Sequence, residues 1–143
     1  MNPKEIAAQR ARLEETLRAL GLTRIAETYR DHALRAEKDS APPLEFLDRL
    51  FADEASARFA RRVARRTARA RFPVVKTIDT YDWSHPKKIE RQRVLDLFDM
   101  RWVAEERNSL FVGGPGLGKT PLAIALGEAA CQKGFSVLFT TAI

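Results

Sequence analysis

A single cysteine, Cys131, is too few for a disulfide framework or a cysteine-ligated metal site. No apolar run approaches the ~20 residues that a membrane-spanning helix requires. The charged start MNPKEIAAQR is followed by no apolar stretch, so no secretory leader is evident and a cytoplasmic location is expected. Histidine is scarce as well. His32 has no second ligating side chain at i±4 and reads as a surface residue, and His85 stands in a turn before proline. Internal repeats, low-complexity tracts, paired carboxylates and a Ser/His/Asp arrangement are all missing. Asp79 and Asp82 read as locally structural. From these absences no secretory signal, membrane span, disulfide framework or cysteine-based metal site is expected.

The charge that is present is unevenly placed. Residues 1–57 hold 9 Lys/Arg against 11 Asp/Glu, residues 58–93 hold 12 against 3, and residues 94–143 hold 4 against 5. The basic excess therefore lies in one internal segment, which suits a polyanion better than scattered charge does. Arginine dominates, with 18 Arg to 7 Lys, and its planar fork matches phosphate geometry.

Apolar Ile6, Leu13, Leu17 and Leu20 recur at helical spacing up to Gly21. Ile25, Tyr29, Ala33 and Ala36 mark a second helix with Thr23 as N-cap. After the Asp39–Pro43 loop, Leu44, Leu47, Phe51 and Ala55 define one side of a third helix. In the same register, Arg58, Arg61, Arg62, Arg65, Arg66 and Arg69 turn that side cationic, while Phe59, Ala60, Val63 and Thr67 lie opposite. These six arginines are the candidate DNA-backbone contacts, with weak sequence selectivity and steep salt dependence. The alternative is a solvated face balanced by acids elsewhere. Phe72-Pro73 ends the helix, Val74–Trp83 reads as an extended connector, and a helix over about Pro86–Glu105 should place Val94, Leu95, Phe98 and Trp102 on one face.

The strongest motif runs from Leu110 to Leu126, LFVGGPGLGKTPLAIAL. Gly113, Gly118, Lys119 and Thr120 fill the pattern G-x-x-x-x-G-K-[ST]. Glycines let the backbone curl where side chains would meet phosphate. Lysine supplies a point charge for β- and γ-phosphates, threonine a ligand for Mg²⁺, and the following helix its positive dipole end. The candidate nucleotide residues are Gly113, Gly114, Pro115, Gly116, Leu117, Gly118, Lys119 and Thr120, with Thr120 meeting the metal through Mg-ATP. Asn108–Val112 reads as a buried strand before the loop and Ser136–Thr140 as a second one after it, with a buried helix between them closed by Gly134. One residue departs from the pattern's purpose. Pro121 offers no N–H where such loops normally contact the α-phosphate, so weakened nucleotide binding is expected.

The connector RFPVVKTIDTYDWS and the stretch NSLFVGGPGLGKTPLAIALGEAACQKGFSVLFTTA together resemble IstB-type ATP-binding proteins, transposition helper ATPases of the AAA+ group related to DnaC helicase loaders. The resemblance implies an α/β fold: a helical N-terminal region, then the incomplete start of a P-loop NTPase core with a parallel sheet. It divides the chain into a helical domain at 1–72, a linker and helix at 73–107, and a partial ATP-binding domain at 108–143. It further implies ATP and Mg²⁺ as cofactors, DNA and a transposase as partners, a homo-oligomer, and the Tyr81–Trp83 connector near adenine. Family members continue to acidic, sensor and arginine-finger motifs that this sequence lacks. A truncated product without appreciable hydrolysis is therefore expected, its strand 108–112 left unpaired or paired non-natively. Two other readings stand beside this one: a non-catalytic basic helical DNA-binding module or inactive gene remnant, and a helicase-loader-like fragment.

Overall fold

The computed structural model describes residues 2–84 and 89–141. His85 and the expected helix start at Pro86 lie outside them. The described residues form six helices, α1 (Pro3–Ala19), α2 (Thr23–Lys38), α3 (Pro43–Ala70), α4 (Arg91–Leu97), α5 (Arg101–Ala104) and α6 (Lys119–Gln132), with one 3-10 turn at Ile78–Thr80. They divide into two compact units, Met1–Arg61 and Arg62–Ile143. No helix among them is long and apolar enough to cross a membrane.

In the first unit, α1 opens on a capping box: the Asn2 side chain accepts from the Lys4 N–H, and Glu5 accepts from the Asn2 N–H. Gly21, at φ +69°, turns the chain into α2. Thr23 is not the cap of α2 but its first residue. Leu22 holds the cap position without a capping side chain, and Glu54 of α3 takes over. Its Oε2 accepts the N–H groups of Arg24 and Ile25 at 2.8 and 3.1 Å. Ile25, Leu50 and Glu54 are the buried residues of this unit.

The expected apolar face of α3 is displaced. Leu44, Leu47 and Phe51 are exposed, whereas Leu50 and Glu54 point inward. The buried face is thus about one residue's step around the helix from Leu44–Ala55. The reason is Glu54. A carboxylate that serves two backbone donors at the start of α2 fixes the rotation of α3, and hydrophobic periodicity carries no sign of it.

The second unit is built on α6. Its Leu122, Ile124, Ala125, Leu126, Glu128, Ala130 and Cys131 are all buried. Leu126 and Ala130 join Met100 in a core against which Leu97, Phe98, Trp102, Phe111, Phe135 and Val137 pack. The single helix expected up to Glu105 is two short ones. Met100 takes a left-handed φ of +62° and inserts its buried side chain into the core, while the Trp102 indole N–H donates to the Leu97 carbonyl across the break at 2.9 Å.

The expected parallel sheet is absent. No strand occurs among the described residues, so the α/β class gives way to an all-helical one. Residues 108–112 and 136–140 lie without ladder partners. Phe111 and Val137 pack on the α6 core, but Leu110 and Val112 are each 85% exposed and Leu138 also faces outward. The inward–outward alternation of a strand survives without the pairing. A ladder needs a neighbour about 4.8 Å away, and neither segment supplies one to the other. In the second segment a backbone bond goes to a helix end instead: the Phe139 N–H donates to the Ala70 carbonyl at 2.8 Å.

Candidate functional site

The sequence singles out two groups of residues as candidates, the glycine-rich loop and the arginines of α3. Gly116 and Gly118 adopt φ of +77° and +73°. This left-handed backbone suits glycine and turns the chain sharply into α6. Gly118 is the N-cap, so Lys119, Thr120 and Pro121 are the first three helical residues and the Leu122 N–H makes the first α6 bond, to the Gly118 carbonyl at 3.1 Å. An α-helix has no internal partner for its first three N–H groups. Pro121 therefore costs α6 no hydrogen bond. It does reduce the free first-turn amides to those of Lys119 and Thr120. The Lys119 ammonium folds back over the loop and donates to the Gly114 carbonyl at 2.5 Å.

Tyr81 flanks the loop on the connector side. Its ring lies against Gly118 so closely that a Cβ there would sit 2.9 Å from the phenol oxygen. That oxygen is shielded from solvent and has no hydrogen-bond partner. Trp83 meets the Tyr81 ring edge-on at 4.9 Å between centroids, and the Arg91 guanidinium stands 5.0 Å over Trp83. Clefts open on both sides of Tyr81. One, of about 500 Å³, runs between Lys119, Leu117, Leu110 and Val112 and the start of α4 at Glu90, Arg93 and Val94. The other, of about 270 Å³, lies between Gly116, Gly118 and Pro121 and the connector residues Lys76, Thr77, Thr80 and Asp82. Asp82 also accepts from the Ser84 N–H and hydroxyl at 2.9 and 2.6 Å.

The six arginines separate into two sets. Arg61 pairs with Glu54 Oε1 at 3.1 Å, and Arg58 lies 3.5 Å from the same oxygen while donating to the Gly21 carbonyl at 3.0 Å. Burial pushes the Glu54 carboxyl up. The N–H groups of Ile25 and Arg24 and the charges of Arg61 and Arg58 outweigh it and hold the group below its ordinary value. Arg58 and Arg61 thus answer an internal acid. Arg62, Arg65, Arg66 and Arg69 instead line a cleft of about 280 Å³ with Ser136 and Val137. Sequence reasoning missed Glu54 in this role, because an acidic residue on an amphipathic helix ordinarily faces water.

His32 lies 3.3 Å from Asp53, which also accepts from Arg24 at 3.1 Å. No group of three or more metal-ligating side chains occurs among the described residues.

A family model described as IstB-like ATP binding protein matches residues 15–143. An ATP-binding protein of insertion sequence IS5376 from Geobacillus stearothermophilus is 33% identical over 92% of the chain and 52% of its own length. An ATP-binding protein of insertion sequence IS21 from Pseudomonas aeruginosa is 39% identical over 66% of the chain and 36% of its own length. An insertion-sequence ATP-binding protein of Mycobacterium tuberculosis is 30% identical over 89% and 51%. The chain spans about half the length of these curated relatives, or less.

Proposed function

The chain belongs to the family of IstB-like ATP binding proteins, and from that premise we propose that it binds ATP with Mg²⁺ at the glycine-rich loop and serves DNA transposition as the partner of a transposase. One observation carries the reading. A tight loop with two left-handed glycines delivers Lys119 and Thr120 to the open N-terminus of the most buried helix of its unit. Such a terminus offers unpaired amides and the positive end of a dipole to an anion.

The residues present suit the phosphates. Gly114 and Gly116 have open space where a Cβ would project, so neither is filled by the protein itself. The Tyr81 hydroxyl, orphaned against Gly118, is a donor awaiting an acceptor. Lys119 would exchange the Gly114 carbonyl for phosphate oxygens, Gly113–Gly118 would wrap them, and Thr120 would offer its hydroxyl to the metal. Bound Mg²⁺ neutralises phosphate charge. Pro121 removes one amide from this set. The reading is one of binding without appreciable turnover by these residues, because a water-orienting group is a separate requirement from the loop. DNA association is assigned to the basic helix α3, and the insertion-sequence origin of the relatives supports the transposase as partner.

The test is a titration with a fluorescent ATP analogue and Mg²⁺, run on this chain and on its Lys119→Ala variant. Saturable binding that disappears in the variant is the expected result. Equal binding by both, or none by either, rejects the loop as the site.

A further inference from the structure

We propose that Arg62, Arg65, Arg66 and Arg69, together with Ser136, form a composite pocket for one phosphodiester group of a nucleic-acid backbone. The inference rests on the reading that the chain binds DNA, and it narrows that reading from a six-arginine ridge to a cleft with two walls.

The four arginines stand at i, i+3, i+4 and i+7 of α3, so they share one face. Among the described residues their cleft is lined otherwise by Ser136 and Val137, with no carboxylate. Several arginines of the first unit find acids: Arg24 pairs with Asp53, Arg30 with Glu14, Arg49 with Glu45, and Arg58 and Arg61 with Glu54. Four guanidinium groups facing one cavity repel one another, and like charges at i,i+4 cost a helix stability rather than adding to it. An oxyanion relieves that repulsion and meets the fork geometry of arginine bidentately.

The second wall is built, not incidental. Gly134, at φ +100°, turns the chain after α6 and lies beside the Arg66 guanidinium, 3.9 Å from where its Cβ would be. The segment then runs past α3 and is fastened by the Phe139 N–H on the Ala70 carbonyl and by the Phe72–Phe139 ring contact at 6.3 Å. Thr67, on the neighbouring stripe of α3, donates to Glu128 of α6 at 3.0 Å, which fixes the rotation of the arginines. Ser136 thus lines the cleft from a part of the chain remote in sequence.

The experiment measures binding of a labelled random-sequence DNA duplex by fluorescence anisotropy across a salt series, using the full chain. Ser136→Asp puts a carboxylate into the cleft while leaving every arginine in place. We expect it to weaken binding about tenfold or more, the loss of a charge-assisted contact, and to flatten the salt slope by about 0.9, one phosphate's worth. Arg62→Gln/Arg65→Gln/Arg69→Gln, all at exposed positions, should do the same, whereas Arg58→Gln/Arg61→Gln should leave the slope unchanged. Circular dichroism on each variant confirms that it is folded. Wild-type binding that Ser136→Asp leaves intact overturns the pocket but spares the DNA reading. No duplex binding by the wild type overturns both. Inorganic phosphate binding that Ser136→Asp abolishes, without duplex binding, overturns the nucleic-acid occupant.

Discussion

Replacing Glu54 by glutamine changes almost no volume and isolates the charge of the most connected side chain in the first unit. Glu54 is 3% exposed, and its two oxygens serve different masters: Oε2 takes the amides of Arg24 and Ile25, Oε1 the guanidinium of Arg61 with Arg58 beside it. A glutamine can keep its oxygen on the amides only by turning its NH₂ toward the guanidinium groups. Each amide bond falls from charge-assisted to neutral, a loss of about 1 kcal/mol apiece. The ion pairs with the half-exposed Arg58 and Arg61 were worth at most about 1 kcal/mol. Glu54→Gln should therefore destabilise by about 2–3 kcal/mol, moving a urea midpoint read by far-ultraviolet circular dichroism down by about 1–2 M. The pH dependence supplies an internal control. Because the folded carboxyl is held below its ordinary value of 4.5, its contribution is present above that pH and lost as pH falls through the lower folded value. The wild type and the variant should converge on acidification. A variant within about 0.5 kcal/mol of wild type at neutral pH, or a gap that persists in acid, refutes Glu54 as the remote cap of α2.

Pro121→Ser should tighten nucleotide binding ten- to hundredfold, the return of one charge-assisted amide worth about 1.5–3 kcal/mol; equal affinities in an analogue titration would sink the argument. Gly127→Ala reverses a familiar sign. Alanine ordinarily stabilises a helix interior by about 1 kcal/mol over glycine. Here its Cβ would stand 2.8 Å from the Phe72 ring and 3.4 Å from Val137. Overpacking of about 1–3 kcal/mol should win, and a raised melting temperature for Gly127→Ala would show that the ring yields.

The glycine-rich loop was legible because its information is local. Gly118 and Lys119 need only their immediate neighbours to define a turn into a helix, and the buried character of α6 follows from an apolar composition all round. The absence of the expected sheet was not legible in that way. Leu110, Val112 and Leu138 alternate as strand residues do, yet a strand is a relation between two segments, and their sequence says nothing about whether a partner lies alongside. The break at Met100 was hidden by Val94, Leu95, Phe98 and Trp102, whose spacing continues a helical period straight through it. The six arginines read as one ridge because periodicity counts side chains on a face, not the acids beneath. Glu54 claims two of them, and Ser136, the second wall for the other four, lies 67 residues beyond Arg69 in sequence.

The lone thiol, finally, gives the molecule a built-in clock. Cys131 is fully buried, and burial together with the Glu128 charge pushes it above its ordinary value, so it is an unreactive thiol while its surroundings stay closed. With no other cysteine in the chain, every equivalent of a thiol reagent consumed records one opening event around α6. Because that helix begins at Lys119 and runs past the Thr67–Glu128 contact, a ligand held at its first turn should slow the clock, turning occupancy into a labelling rate without any attached probe.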